Sequence, residues 1–407
     1  AVGYNALTAN TTGAQNTAIG KDALDANTTA HDNTAIGVGA LGVMDGGTGQ
    51  NVAVGNYSGD AITTGGSNNV LGYQSGTAIT TGSNNNFFGT KAGKSTTTSD
   101  FNCAFGQEAL EANTTGAANI AIGFRALEAN TTGANSVAIG AYALDGATTA
   151  GGNSVAIGYL SASAVVASPV VAVGYRALFA NTTGASNTAV GYDAMVANTT
   201  GGYNVAVGGF ALDANTTATL NTAVGYQALT SNTTSNYNTA VGANALDAIT
   251  TGSDYNAAFG TYALTNLTTG TRSTSLGYGS LQDATTGGYN TGCGFFGGKG
   301  ITTGNRNTAV GAETLLAACT GSDNTAIGAY ALTANTTGAS NTAVGNQALT
   351  SNTTGANNTA FGYEALEANT TTHSCVSVGY QAGKNTTASY TTVVGDRAMS
   401  QATVTGE

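Results

Sequence analysis

Apolar and small residues recur along this chain with a fixed period, and the period dictates what the chain can fold into. Each Ala-Val-Gly or Ala-Ile-Gly core is indexed by its glycine at position zero. Such glycines occur at Gly3, Gly20, Gly37 and Gly55 and continue to Gly379 and Gly395, giving 24 copies, nearly all 17 residues apart. Position −1 is apolar (Ile19, Leu71, Phe88, Val344), position −2 is small (Ala18, Ala343), position +3 is small, and position +4 is usually leucine (Leu24, Leu349). The polar columns are as regular: asparagine at −4 (Asn324, Asn341), Asn-Thr-Thr at +7 to +9 (Asn352-Thr353-Thr354) and glycine at +10 (Gly355). A helical solenoid repeat needs roughly 33 residues or more to hold its helices. A 17-residue coil has room only for short strands and tight corners, so the pattern predicts an all-β fold, a parallel β-solenoid of 24 coils.

The columns assign parts to each coil. β-Branched residues at −3 and −1 suit a strand, and alternation puts those two on one face and −2 on the other. Glycine at 0 and +10 suits corners that a side chain would not fit, and asparagine tolerates left-handed φ. The expected core is one large apolar residue at −1, one at +4, and several alanines. In some copies the +4 leucine becomes glycine, as at Gly59, Gly76 and Gly93, and in two of these the −2/−1 pair enlarges to Val70-Leu71 and Phe87-Phe88. That reads as volume exchange within a shared core. Repeated Asn and Thr form ladders along the stack, and a rise of about 4.8 Å per coil gives an expected rod of roughly 115 Å.

Length alone would suggest two or three globular domains, but the uninterrupted repeat predicts one continuous solenoid over residues 1–407, without an internal boundary. The tenth coil carries the only proline, Pro169, placed at a corner or an unpaired position. Ala1 falls at position −2 and Glu407 at +12, with no polar cap at either end, so the chain is expected to be a piece of something longer or to stack on something. Net charge is −11, which leaves a nucleic-acid partner without its electrostatic footprint. No apolar run reaches spanning length, so membrane insertion is not expected. Cys103, Cys293, Cys319 and Cys375 read as small apolar fillers rather than disulfide or metal ligands.

The cores Asn135-Ser136-Val137-Ala138-Ile139-Gly140 and Asn153-Ser154-Val155-Ala156-Ile157-Gly158 resemble the head repeats of YadA-type trimeric autotransporter adhesins. The longer form, Asn341 to Gly355, is also similar to repeats of phage tail fibres, and the likeness covers essentially the whole chain, although its coil is longer than the adhesin repeat. The resemblance implies a left-handed roll, a homotrimer, and an extracellular, cell-surface or virion-surface fibre.

Chemistry is sparse. The only histidines, His31 and His373, share column +11 but lie twenty coils apart, about 95 Å at the stacking rise, so they form no common site. No zinc, phosphate-loop or calcium-loop spacing occurs, and neither an enzyme nor a bound cofactor is expected. Two columns are candidate binding surfaces. The first is the +1 aromatic stripe of Tyr159, Tyr175, Tyr192 and Tyr226, a candidate for glycans or for contact between copies. The second is the Asn-Thr-Thr column, with Thr182, Thr183, Thr199, Thr200, Thr216 and Thr217, of which only one threonine rank can face out. The functional expectations are a structural and adhesive fibre segment that assembles with itself as a trimer or end to end, an ice-binding solenoid using the Thr face, or a tail-fibre shaft that binds host glycans.

Overall fold

From the second coil on, one three- or four-residue strand per coil carries the Thr-Ala-Val-type core, and the other described residues form turns, bends and loops. The computed structural model describes residues 1–148, 152–166 and 169–401, so the far end read at Glu407 lies outside the described residues. Among these there is no helix, and 23 parallel strands run from Thr17–Ile19 to Thr392–Val394. The first of the 24 cores forms an isolated parallel bridge, Val2 to Ile19, in place of a strand. The expected β-solenoid is therefore the observed fold. By contact the chain divides into two units, Ala1–Tyr203 and Asn204–Glu407.

Within each unit, consecutive strands pair in parallel and in column register. In the second unit Thr342 pairs with Thr359, Ala343 with Ala360, and Val344 with Phe361. In the first, the shortened tenth coil keeps register, with Ala172 opposite Ala156. Pro169 stands just before that strand at an exposed corner, and its carbonyl accepts the Ser186 N–H at 3.0 Å. Proline is tolerated there because only its acceptor is needed.

The inside of the coil differs from expectation at one column. Position −2 is the buried face of the strand and −1 is the outer one: Ala360 has no exposure, whereas Phe361 is 56 % exposed. The core comprises Ala at −2, Ala at +3 and Leu at +4, as in Ala343, Ala348 and Leu349, all fully buried. The coil is too narrow for two large residues facing each other. Volume exchange does operate, but through −2 and +7. Phe87 is buried, and a Cβ on Gly93 would meet its ring at 2.3 Å. Gly59, whose −2 residue stays alanine, is filled by Ile62 at +7, whose Cδ1 would lie 2.9 Å from an added Cβ.

The corners are strained, and side chains offset the strain. Leu349 sits in the left-handed region at φ 52°, as its column does throughout. That conformation costs about 1–2 kcal/mol, and full burial of leucine returns about 1.5–3 kcal/mol. Glycine at zero is required sterically. A Cβ on Gly345, at φ 139°, would lie 2.3 Å from the Gly362 carbonyl oxygen of the next coil.

Two buried asparagine ladders fasten the corner at +10. Asn341 Nδ2 donates to Gly355 O at 2.8 Å and to Asn324 Oδ1 at 3.1 Å. Asn352 Nδ2 donates to the same Gly355 oxygen at 3.0 Å and to Asn335 Oδ1 at 2.8 Å. Each amide thus ties its own coil shut and joins it to the coil before through its donors, although the buried Asn352 Oδ1 accepts no bond.

Candidate functional site

The outward face of the strand runs the length of each unit, half-buried to exposed. Its two columns, −3 and −1, contain none of the chain's ten basic and 21 acidic residues. In the first unit the face shows Ile120, Ile122, Ile157 and Val171, and in the second Val205, Val207, Phe259, Leu276, Ile327 and Val378, each 36 % exposed or more. About eleven rungs at ~4.8 Å and a width of ~10 Å make an uncharged patch on the order of 500 Å² per unit. Phe88 and Phe105 stack on it at 4.4 Å. This surface was missed in the sequence because large apolar residues at −1 read as core. The signal that could have found it is the absence of any charge from −3 as well as −1.

The predicted aromatic stripe is assembled in the first unit. Tyr159 and Tyr175 stack at 5.6 Å and Tyr175 and Tyr192 at 5.0 Å, with rings within 18° of parallel. Tyr226 lies in the second unit and meets Phe210 edge-on at 6.0 Å. Stacked rings cover each other's faces and offer edges and hydroxyls outward, whereas stacking on a sugar needs an open ring face. Arg176 sits 5.4 Å from the Tyr175 centroid and forms two bonds, 2.8 and 2.7 Å, to Asp193. The column is thus packed and charge-paired along its own length.

The threonine column divides as alternation requires. Thr182 and Thr216 at +8 donate to the carbonyl of the next +8 threonine, at 3.0 Å to Thr199 and 3.2 Å to Thr233. Their hydroxyls are thereby used along the ladder, and Thr199 is likewise half-buried. Thr183, Thr200 and Thr217 at +9 form the exposed rank.

Much of the charge lies on the +2/+5 edge, where part of it is paired. Glu108, Glu111 and Glu128 hold their carboxylates close enough to share a metal ion. Their neighbourhood is already cationic: Arg125 contacts Glu108 at 2.8 Å and Glu128 at 3.5 Å, Lys94 contacts Glu111 at 3.4 Å, and Lys91 contacts Glu108 at 3.5 Å. The hydrogen bond from Arg125 holds Glu108 below the usual carboxylate range. In the next coil along, burial pushes Asp145 up to about 6, with Glu128 adding to the rise. In the second unit Lys384 bonds Glu364 and lies 2.7 Å from Glu367, and with help from Tyr363 holds Glu364 at about 2.

The histidines make local contacts only: His31 Nδ1 accepts the Ala14 N–H at 2.9 Å, and His373 packs edge-on to Tyr390 at 4.8 Å. The four cysteines are free thiols. No family model and no curated protein matches the chain.

Proposed function

We propose that this chain is a structural and adhesive fibre segment of an extracellular, cell-surface or virion-surface assembly, and that further copies of itself cover its outward strand face. The observation that carries the reading is that face: apolar, threonine-bearing and free of charge in a chain that places its ionic residues elsewhere. A bare surface of this kind on a soluble monomer favours association. Identical columns on every copy suit a rotationally symmetric contact, in which the same patch meets its symmetry mate. The narrow core adds to the case, since coils that bury mainly alanine and one leucine gain stability by sharing surface. The likeness to trimeric adhesin repeats points the same way.

The test is solution mass by light scattering. The expected value is a multiple of the 39.7 kDa chain, three times it for a trimer whose copies meet at the strand face. Val344→Lys places a charge on the outer face and should lower the mass while leaving the β-sheet circular dichroism intact. A wild-type monomer at every concentration would sink the proposal.

One observation favours a second reading, ice adsorption, and moves it from the Asn-Thr-Thr corner to the strand face. Thr274, Thr291, Thr308, Thr325, Thr342 and Thr359 pair in parallel succession on the outer −3 column. The two readings compete for one surface, because a face covered by another copy cannot meet ice. Thermal hysteresis with a monomeric mass would select the second.

A further inference from the structure

We propose that the exposed corner column preceding the buried asparagine, in the second unit, is a binding edge for carboxylated glycans centred on Arg272. The inference rests on reading the chain as an attachment segment, and it names the ligand class. The column holds Leu220, Tyr237, Tyr255, Arg272, Tyr289 and Arg306 on successive coils. All six are exposed.

This corner is left-handed along the column, from Gln15 at φ 61° to Tyr390 at φ 61°. The five residues from Tyr237 to Arg306 adopt left-handed φ between 55° and 63°. Elsewhere the corner holds residues as different as Asp32, Asn84, Ala118 and Phe101, so its conformation does not by itself select the side chain. Leucine at +4 bears the same strain but is repaid by burial. The corner side chains face water, and what sets this stretch apart is the run of Tyr237, Tyr255, Arg272 and Tyr289 on successive coils, three phenol rings around one guanidinium.

The geometry around Arg272 describes a receptor. Its guanidinium lies 5.5 Å from the Tyr255 ring centroid and 5.3 Å from that of Tyr289. Its Nη1 also donates to the Tyr289 hydroxyl at 2.5 Å. Tyr237 stacks on Tyr255 at 4.9 Å and 6°, bracing the near ring. The fork is thus held between two rings with donors left over. Among the described residues no carboxylate forms an ion pair with Arg272 or Arg397, whereas Arg125, Arg176 and Arg306 each have one. A planar guanidinium held this way takes a carboxylate through two parallel hydrogen bonds. Tyrosine hydroxyls along the column offer partners to sugar hydroxyls. Arg306 stands two coils away, about 10 Å at the strand spacing, close to the length of a disaccharide, and its exposed pair with Asp323 can exchange for a ligand acid. The net charge of −11 disfavours densely charged chains such as nucleic acid.

The experiment is titration of the full chain by calorimetry with sialyllactose and, separately, a short oligogalacturonate. Lactose and single-stranded DNA serve as controls, and light-scattering mass is followed in parallel. The two acidic sugars separate sialic from uronic acid sources. Binding of at least one is expected, with none to lactose. Losing the charge-assisted bonds in Arg272→Gln should weaken binding about tenfold or more. Arg272→Lys, which keeps the charge but not the fork, should weaken it less, and Lys21→Gln should leave it unchanged. The inference is overturned if neither acid sugar binds, if lactose or DNA binds equally well, or if Arg272→Gln has no effect. A fall in mass for Arg272→Gln would also overturn it, by making the column a contact between copies while the assembly reading stands. Sugar binding by a strictly monomeric wild type would leave this inference in place and remove self-association.

Discussion

Replacing Asn341 with aspartate keeps the shape of the side chain and inverts its hydrogen bonding, which makes it a direct probe of the inner ladder. Asn341 is fully buried, and its Nδ2 donates at 2.8 Å to Gly355 O and at 3.1 Å to Asn324 Oδ1. Its Oδ1 accepts the Asn358 N–H at 3.0 Å. In Asn341→Asp two donated bonds become contacts between acceptors, while the accepted bond survives. Losing two bonds costs about 2 kcal/mol, and a buried carboxylate without a cation raises the expected total to about 3–5 kcal/mol. The carboxyl answers by holding its proton, so its folded pKa rises above the ordinary unfolded value of about 3.9. The sign follows from linkage. Below pH ~4 the group is protonated in both states and can still donate once, so the deficit is smallest, about 1–2 kcal/mol. As pH rises through the folded pKa the folded state alone must hold the costly charge or proton, and the deficit grows to its full size by neutral pH. Long repeat arrays do not unfold in one step, so the proper readout is local: amide hydrogen exchange in strands Thr342–Val344 and Thr359–Phe361, at several pH values. Asn341→Ala should give a pH-independent loss. Full protection of the aspartate variant at pH 7, or a deficit that does not change with pH, would refute the ladder's role.

Three further outcomes follow from the same coil geometry. Phe87→Ala, opposite Gly93, should open a cavity and cost about 3–5 kcal/mol locally, seen as lost exchange protection in strands Asn69–Leu71 and Cys103–Phe105. Gly345→Ala should destabilise by more than about 3 kcal/mol, because the new Cβ meets a carbonyl oxygen rather than a movable side chain; protection confined to the neighbouring strands should fall, and an unchanged pattern would contradict the close approach of coils. Asp145, raised to about 6 by burial, favours the fold while protonated and loses that contribution as pH rises from its ordinary range through 6. Asp145→Asn should therefore resist urea better than wild type at pH 7 and show no advantage near pH 4.

Period, strand position and corner chemistry were legible in the sequence because a repeat prints each structural demand 24 times. A glycine needed for close approach, an asparagine that must donate inward, and a small residue at −2 recur in the same column, and 17 residues leave no room for helices. The sequence also confined the chemistry to a tyrosine column and a threonine column, and the structure accounts for both as ladders whose rings and +8 hydroxyls are largely occupied along the stack. Tertiary structure decided which strand face turns inward. Hydropathy favours Val344 over Ala343 as core, but the coil closes over Leu349 in a space that admits only alanine opposite it, so the larger residue is driven outward. Sequence order also says nothing of which side chains stand beside Arg272. Tyr255 and Tyr289 are 17 residues away in either direction, and only the stacking of coils brings their rings against its guanidinium.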